Sequence, residues 1–157
     1  ASAVAGAGGF PVVLVDGAAT VADDPTIAAL RALKTTSAKI AGGAAVVSQG
    51  IATSLTTAGI SVTRYGGSDR YQTSLLMNSV AYGGQVATAF LATGVDFPDS
   101  LSGAVLAGRT KQPLLSQPAS CMTGATKDWL GARGVKQVRL IGGAGALQDD
   151  VARSVRC

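Results

Sequence analysis

Six short apolar or β-branched runs, each followed by a stretch with helical spacing, limit what this chain can fold into. The runs are Val12-Val13-Leu14-Val15, Ala38-Lys39-Ile40, Ile60-Ser61-Val62-Thr63, Ala87 to Ala92, Pro113-Leu114-Leu115 and Val138-Arg139-Leu140-Ile141. Between them apolar residues recur at helical intervals, as in Ile27, Leu30 and Leu33, or Ile51, Leu55 and Ala58. Strands separated by helices require crossover connections, and crossovers make parallel neighbours. The runs are almost uninterrupted by polar residues, as expected of a sheet covered on both faces. The expectation is an α/β fold: a mainly parallel sheet of about six strands with helices on both faces, built from βα repeats.

Helix ends are marked as well. Asp24-Pro25 reads as an N-cap with proline at the first helical position. Ser48, Thr123 and Asp99 read as caps, and Asp69 with Gln72 resembles a capping box. Gly59 is a stop signal. Residues 1–10 read as an N-terminal extension and 11–157 as a single α/β domain. Within it the block GGAAVVSQGIATSL from Gly42 corresponds to GGAGALQDDVARSV from Gly142, and Pro11-Val12-Val13-Leu14 corresponds to Pro113-Leu114-Leu115. The chain therefore reads as the second half of one repeat unit, residues 11–61, followed by a full unit, residues 62–157. Tandem units bury surface against neighbours, so a cut repeat is expected to belong to something longer or to form a homo-oligomer.

Composition removes whole classes of chemistry. Histidine is absent, which excludes Ser-His-Asp and Cys-His nucleophiles and His-ligated zinc. Glutamate is absent too, leaving aspartate alone for carboxylate chemistry. No metal, no cofactor and no catalytic residue is expected. Apolar content of 47% against 14% charge argues against disorder. No apolar run reaches the ~20 residues of a membrane span, so membrane insertion is not expected. The opening ASAVAGAGGF lacks the basic and apolar segments of an intact signal peptide. Residues 101–157 carry eight Lys or Arg against three Asp, a balance that favours an anionic partner. Nucleic acid is disfavoured, because there is no tight basic run and only 4% aromatic residues to stack bases. Cys121 precedes a helix and Cys157 follows the last one, an arrangement that fits a disulfide and an oxidising, extracellular setting.

Two polar knots stand out, Arg64 to Tyr71 and Thr93 to Ser100. Each follows a strand-like run and opens a helical one, where α/β proteins keep ligand chemistry. One reading has Arg64 and Arg70 facing an anionic ligand, with the aspartates orienting them. The other has the arginines neutralised by Asp96 and Asp99, locking loops together. Asp99 fits the structural role better, since a helix N-cap already explains it. Ser116 and Gln117 end the fifth run on the same edge and are candidates to hydrogen-bond a polymer. Gly42-Gly43 and Gly142-Gly143 form neither G-x-G-x-x-G nor a P-loop, and read as tight turns.

These residues resemble the cell wall-binding repeat 2 family of bacterial surface proteins. The family's R-x-G-x-D-R-Y-x-T opening is similar to Arg64-Tyr65-Gly66-Gly67-Ser68-Asp69-Arg70-Tyr71-Gln72-Thr73, with Gly67 shifting the spacing by one. Its A-T-G-x-x-F-P-D-A-L segment resembles Ala92 to Leu101, and its P-[IL]-L-L segment resembles Pro113-Leu114-Leu115, with Ser116 departing. The resemblance implies a non-catalytic module that anchors an extracellular protein to a Gram-positive wall through anionic polysaccharide or teichoic-type polymers. Arg64, Arg70, Thr93, Asp96, Ser116 and Gln117 would then be the ligand contacts. Asp69, Tyr71 and Asp99 would order loops or interfaces. The alternative is a small-ligand or nucleotide-binding domain, with Asp96 and Asp99 serving a metal-dependent hydrolase.

Overall fold

The computed structural model describes residues 1–157. In chain order the elements are α1 (Ser2–Gly8), α2 (Asp24–Ala32), β1 (Ser37–Ala41), α3 (Gln49–Thr57), β2 (Ser61–Tyr65) and α4 (Arg70–Ala81). There follow β3 (Thr88–Thr93), α5 (Pro98–Thr110), β4 (Leu114–Gln117), α6 (Gly124–Ala132), β5 (Gln137–Ile141) and α7 (Asp149–Ala152). Every strand pair is parallel, as the alternation requires. The single sheet of about six strands is not what forms, however. The strands divide into a two-stranded sheet, β1-β2, and a three-stranded sheet ordered β4-β3-β5. The chain correspondingly separates into two compact units, Val13–Asp69 and Ala1–Val12 with Arg70–Cys157.

The missing strand is the first one expected. Residues 12–15 are exposed and irregular, and Leu14 is 89% exposed. By the internal repeat they correspond to β4, whose ladder partner is β3. No strand lies beside the run in this structure, so its β propensity is left without a ladder. A strand is stabilised by its cross-strand neighbours rather than by propensity alone.

In the Val13–Asp69 unit, α2 and α3 pack on β1 and β2 around Leu30, Ile40, Ile51, Leu55 and Ile60. The α2 cap is one residue earlier than expected: Asp23, not Asp24, accepts from Thr26 N at 2.8 Å. Hydrogen bonding from the Thr26 side chain, and then from its N–H, holds the Asp23 carboxyl below its usual range. Ser48 caps α3 as expected, accepting from Ile51 N at 3.2 Å.

In the other unit, β3 is buried along nearly its whole length. Leu91 and Leu115 join Met122, Trp129, Leu130 and Val151 on one side, while Phe90 packs with Ala3, Ala104 and Ala107 on the other. Burying each large apolar side chain is worth about 1.5–3 kcal/mol. Residues 2–8, within the expected extension, form α1, which packs on α5 through small residues such as Ala3 and Ala107. Helix α5 therefore buries Gly103, Ala104, Ala107 and Gly108, and its larger residues Leu101, Val105 and Leu106 face outward. Its N-cap is Phe97, not Asp99, because Pro98 takes the first helical position and places Asp99 inside the first turn. There a carboxylate is favoured by the helix dipole without capping. The expected disulfide joins Cys121 to Cys157, with Cα atoms 5.1 Å apart.

Candidate functional site

Arg64 sits near the end of β2 and turns its guanidinium onto the loop that follows β1. Its Nη1 donates to the carbonyls of Gly42 at 2.9 Å and Val47 at 2.7 Å, and Nη2 donates to that of Ser48 at 3.2 Å. Three carbonyls of one loop are thereby gathered by one cation. Gly42 itself is at φ +132°, a conformation that favours glycine. The Arg64 side chain also lines a shallow groove of ≈ 330 Å³ beside α3, together with Gln49, Thr53, Thr56 and Thr57.

Arg70, six residues on in sequence, belongs to the other unit. It opens α4, is exposed, and donates from Nη1 to Gly94 O at 2.6 Å. Asp69 immediately precedes that helix. The register Thr93↔Gln117 and Ala92↔Ile141 brings the ends of β3, β4 and β5 to one edge. Gly94 continues β3 there, its N–H donating to Gln117 O at 2.8 Å. The Tyr71 ring lies so close that a Cβ on Gly94 would be 2.7 Å from Tyr71 Cε1. Only glycine admits the ring and the Arg70 contact together. Beyond it, Asp96 is exposed in the bend, flanked by Val95 at 60% and Phe97 at 72% exposure. Asp99 lies against Gly142, where any Cβ would overlap its Oδ2. Its carboxylate thus joins the start of α5 to the turn after β5.

Thr93 and Gln117, expected at the ligand, lie beneath this edge. Thr93 is 3% exposed and its hydroxyl accepts from Val95 N at 3.1 Å. Gln117 is fully buried; its amide donates to Thr126 Oγ1 at 2.8 Å and accepts from Thr123 N at 2.9 Å. Gln117 thereby fixes the start of α6, a role with no local signal in the sequence. Ser116 is half-buried and its N–H donates to Ser74 Oγ at 3.0 Å. Side-chain ion pairs form elsewhere, between Arg153 and Asp149 at 3.5 Å and between Arg156 and Asp128. No group of three or more Cys or Asp residues stands in metal-binding proximity. No helix is long and apolar enough to cross a membrane.

Residues 64–152, from Arg64 through the loop edge to α7, match the model of cell wall binding domain 2. The chain belongs to this family. The chain is 31% identical over 96 residues to the N-acetylmuramoyl-L-alanine amidase LytC of Bacillus subtilis (strain 168), covering 61% of the chain and 19% of the amidase. Among solved structures, Cwp6 from Clostridium difficile superposes with a TM-score of 0.86 at 25% identity, over 98% of this chain and 24% of that one. Cwp8 from the same organism gives 0.80 at 22% identity, over 98% and 26%, and speaks to the fold alone. The cell wall binding domain 2 chain described here thus spans about a quarter or less of the relatives it matches. The family match covers both polar knots, including Arg70, Gly94 and Asp99.

Proposed function

We propose that this chain is a non-catalytic wall-binding module of an extracellular protein, and that it takes up an anionic secondary wall polymer at the edge formed by Arg70, Gly94 and Asp96. The observation that carries this reading is Arg70 itself. It is exposed at the carboxyl edge of the sheet and is aimed by its hydrogen bond to Gly94 O. A guanidinium held in place with further donors available suits phosphate or carboxylate groups along a polymer. Asp96 and Ser116 supply hydrogen bonds to polymer hydroxyls. Thr93 and Gln117 support the edge from below, and Tyr71 and Asp99 hold its loops in register.

Arg64 serves first as the clamp of its own loop, and second as the charged end of the threonine-lined groove. Several basic side chains of the C-terminal third, among them Arg109, Lys111, Lys127, Lys136 and Arg139, are exposed and add a favourable field. Residues 11–61 and 62–157 are, in this reading, the closing half of one repeat and a complete second one. The protein works at the cell surface of a Gram-positive organism.

Sedimentation with purified walls, before and after acid stripping of the secondary polymers, tests the assignment. Binding should fall on the stripped walls; equal binding to both would remove the polymer from the account. Thermal shift with nucleotides and Mg²⁺ should show no stabilisation, since a true ligand raises the melting point by mass action.

A further inference from the structure

Backbone groups on the outer side of an edge strand need partners of some kind. Strand β4 is such an edge, with β3 beside it on one side only. Its odd-numbered residues face β3, as shown by Phe90 N–H on Pro113 O at 2.9 Å and Gly94 N–H on Gln117 O at 2.8 Å. Backbone groups alternate direction along a strand, so Gln112, Leu114 and Ser116 face the other way. Side chains of α4 meet them there. Tyr82 Oη donates to Gln112 O at 3.0 Å, and Asn78 Nδ2 donates to Leu114 O at 2.9 Å. Ser74 Oγ accepts from Ser116 N–H at 3.0 Å. Asn78 is 2% exposed and also donates to Ser74 O at 2.8 Å, which ties two rungs to each other. Tyr82 follows the last residue of α4 and continues its turn, its N–H on Asn78 O at 2.8 Å.

Spacing lets a helix take this place. Four residues of helix advance about 6.0 Å and two residues of strand about 6.6 Å, so a row at i, i+4 and i+8 keeps pace with every second residue of a strand. The row Ser74, Asn78, Tyr82 ascends the sequence as its partners Ser116, Leu114, Gln112 descend it, so α4 runs antiparallel to β4. One step further along the row, four residues before Ser74, stands Arg70. The matching step on β4 is Pro118, past the end of the strand. Arg70 reaches instead to Gly94 O, on the continuation of β3, at 2.6 Å. The arginine is the outermost member of the row that fastens the helix.

We propose that Ser74, Asn78 and Tyr82 are positioning residues for Arg70. By closing the β4 edge at helical spacing they fix the height and the rotation of α4 on the sheet. That sets where the guanidinium meets Gly94 and, on the wall-binding reading above, on which this role rests, how it meets the polymer. Helix packing through apolar side chains alone would leave the axial setting of α4 softer, because apolar contact has no direction. Hydrogen bonds to successive strand residues define one register, as they do between strands.

The Tyr71 ring, packed against Gly94, shifts the Gly94 α-proton resonances by its ring current and so reports where the start of α4 sits, without any polymer. In Ser74→Ala these resonances should move toward the ordinary glycine position. Binding to purified walls should weaken at least about threefold, the order expected from one lost hydrogen bond. Ser74→Thr keeps the acceptor oxygen and should restore both. Asn78→Leu removes the central rung at similar volume and should move the resonances in the same direction. Ser79→Ala, which removes a hydroxyl bonded within α4 to Leu75 O, should change neither readout. Gly94 resonances unmoved in both Ser74→Ala and Asn78→Leu would overturn the proposal, even with a lowered melting point, since the row would then only stabilise the fold. An equal movement in Ser79→Ala would overturn it too. Resonances that move in Ser74→Ala, beside Arg70→Ala protein that binds walls as the unaltered chain does, would uphold the positioning and remove Arg70 from the polymer.

Discussion

The turns after β1 and β5 share their Gly-Gly sequence and their backbone hydrogen bonds, but different residues hold them in place. Arg64 closes the first by gathering three loop carbonyls from the neighbouring strand. The second has the Asp99 carboxylate packed against Gly142, and the helix after it is fastened by the Cys121–Cys157 disulfide. That fastening is reinforced where Met122 N–H bonds Val155 O at 2.8 Å and Cys157 N–H bonds Met122 O at 3.1 Å. The comparison teaches that a repeated local device is completed by whichever long-range partner its position supplies. A cation drawn to carbonyls serves one copy, and a covalent bond with a carboxylate serves the other.

The largest test of this contrast is removal of the disulfide. Replacing both cysteines by serine should lower the stability of the Arg70–Cys157 region by about 4 kcal/mol on the loop-entropy account of its 36-residue separation. Trp129 fluorescence during urea unfolding reports on this unit, while amide exchange in β1 should be unchanged. Equal loss at β1 would show that the two copies are not held independently.

Next comes Arg64→Ala, which strips the donors from three loop carbonyls and should cost about 2–3 kcal/mol. Faster amide exchange at Val46 and Val47, with Ala146 and Leu147 unaffected, would confirm the asymmetry. Unchanged exchange would mean the clamp is dispensable.

Arg70→Ala separates the two arginines. Its exposed hydrogen bond to Gly94 O predicts a stability change below about 1 kcal/mol, but polymer binding should weaken about tenfold. A melting point that falls as far as in Arg64→Ala would make Arg70 another structural clamp.

The smallest effect concerns Tyr82, whose hydroxyl donates to Gln112 O at 3.0 Å and whose partial burial raises its pKa. A raised folded pKa contributes stability that is complete below the unfolded value, about 10, and is lost as pH rises through the folded one. Tyr82→Phe should therefore flatten the alkaline decline of stability in this unit. An identical decline in the variant would assign it to other groups.

Much of the molecule was legible because its signals are local. Ser48 and Thr123 cap the helices they precede, and Gly42 and Gly142 turn the chain where only glycine is comfortable. The disulfide was legible because only two cysteines exist. Gln117 was misplaced as a ligand contact candidate because a small polar ending on a strand looks the same whether its amide faces solvent or caps a buried helix. Leu101 and Val105 followed helical spacing that normally marks a core face, yet Ala104 and Ala107 won it because α1 approaches closely enough to admit only small residues.

By itself, the sequence determined the order of elements from α2 onward, their parallel pairing, the turns and the family to which the repeat belongs. These follow from periodicity and from backbone conformations that few residues tolerate. Only the tertiary structure decided that the strands form two sheets, that Val12-Val13-Leu14-Val15 stays unpaired, and that Arg64 clamps while Arg70 faces outward. Those outcomes rest on contacts between residues more than twenty positions apart, such as Arg64 with Gly42 and Arg70 with Gly94. Which partner reaches a given edge is a property of the assembled chain.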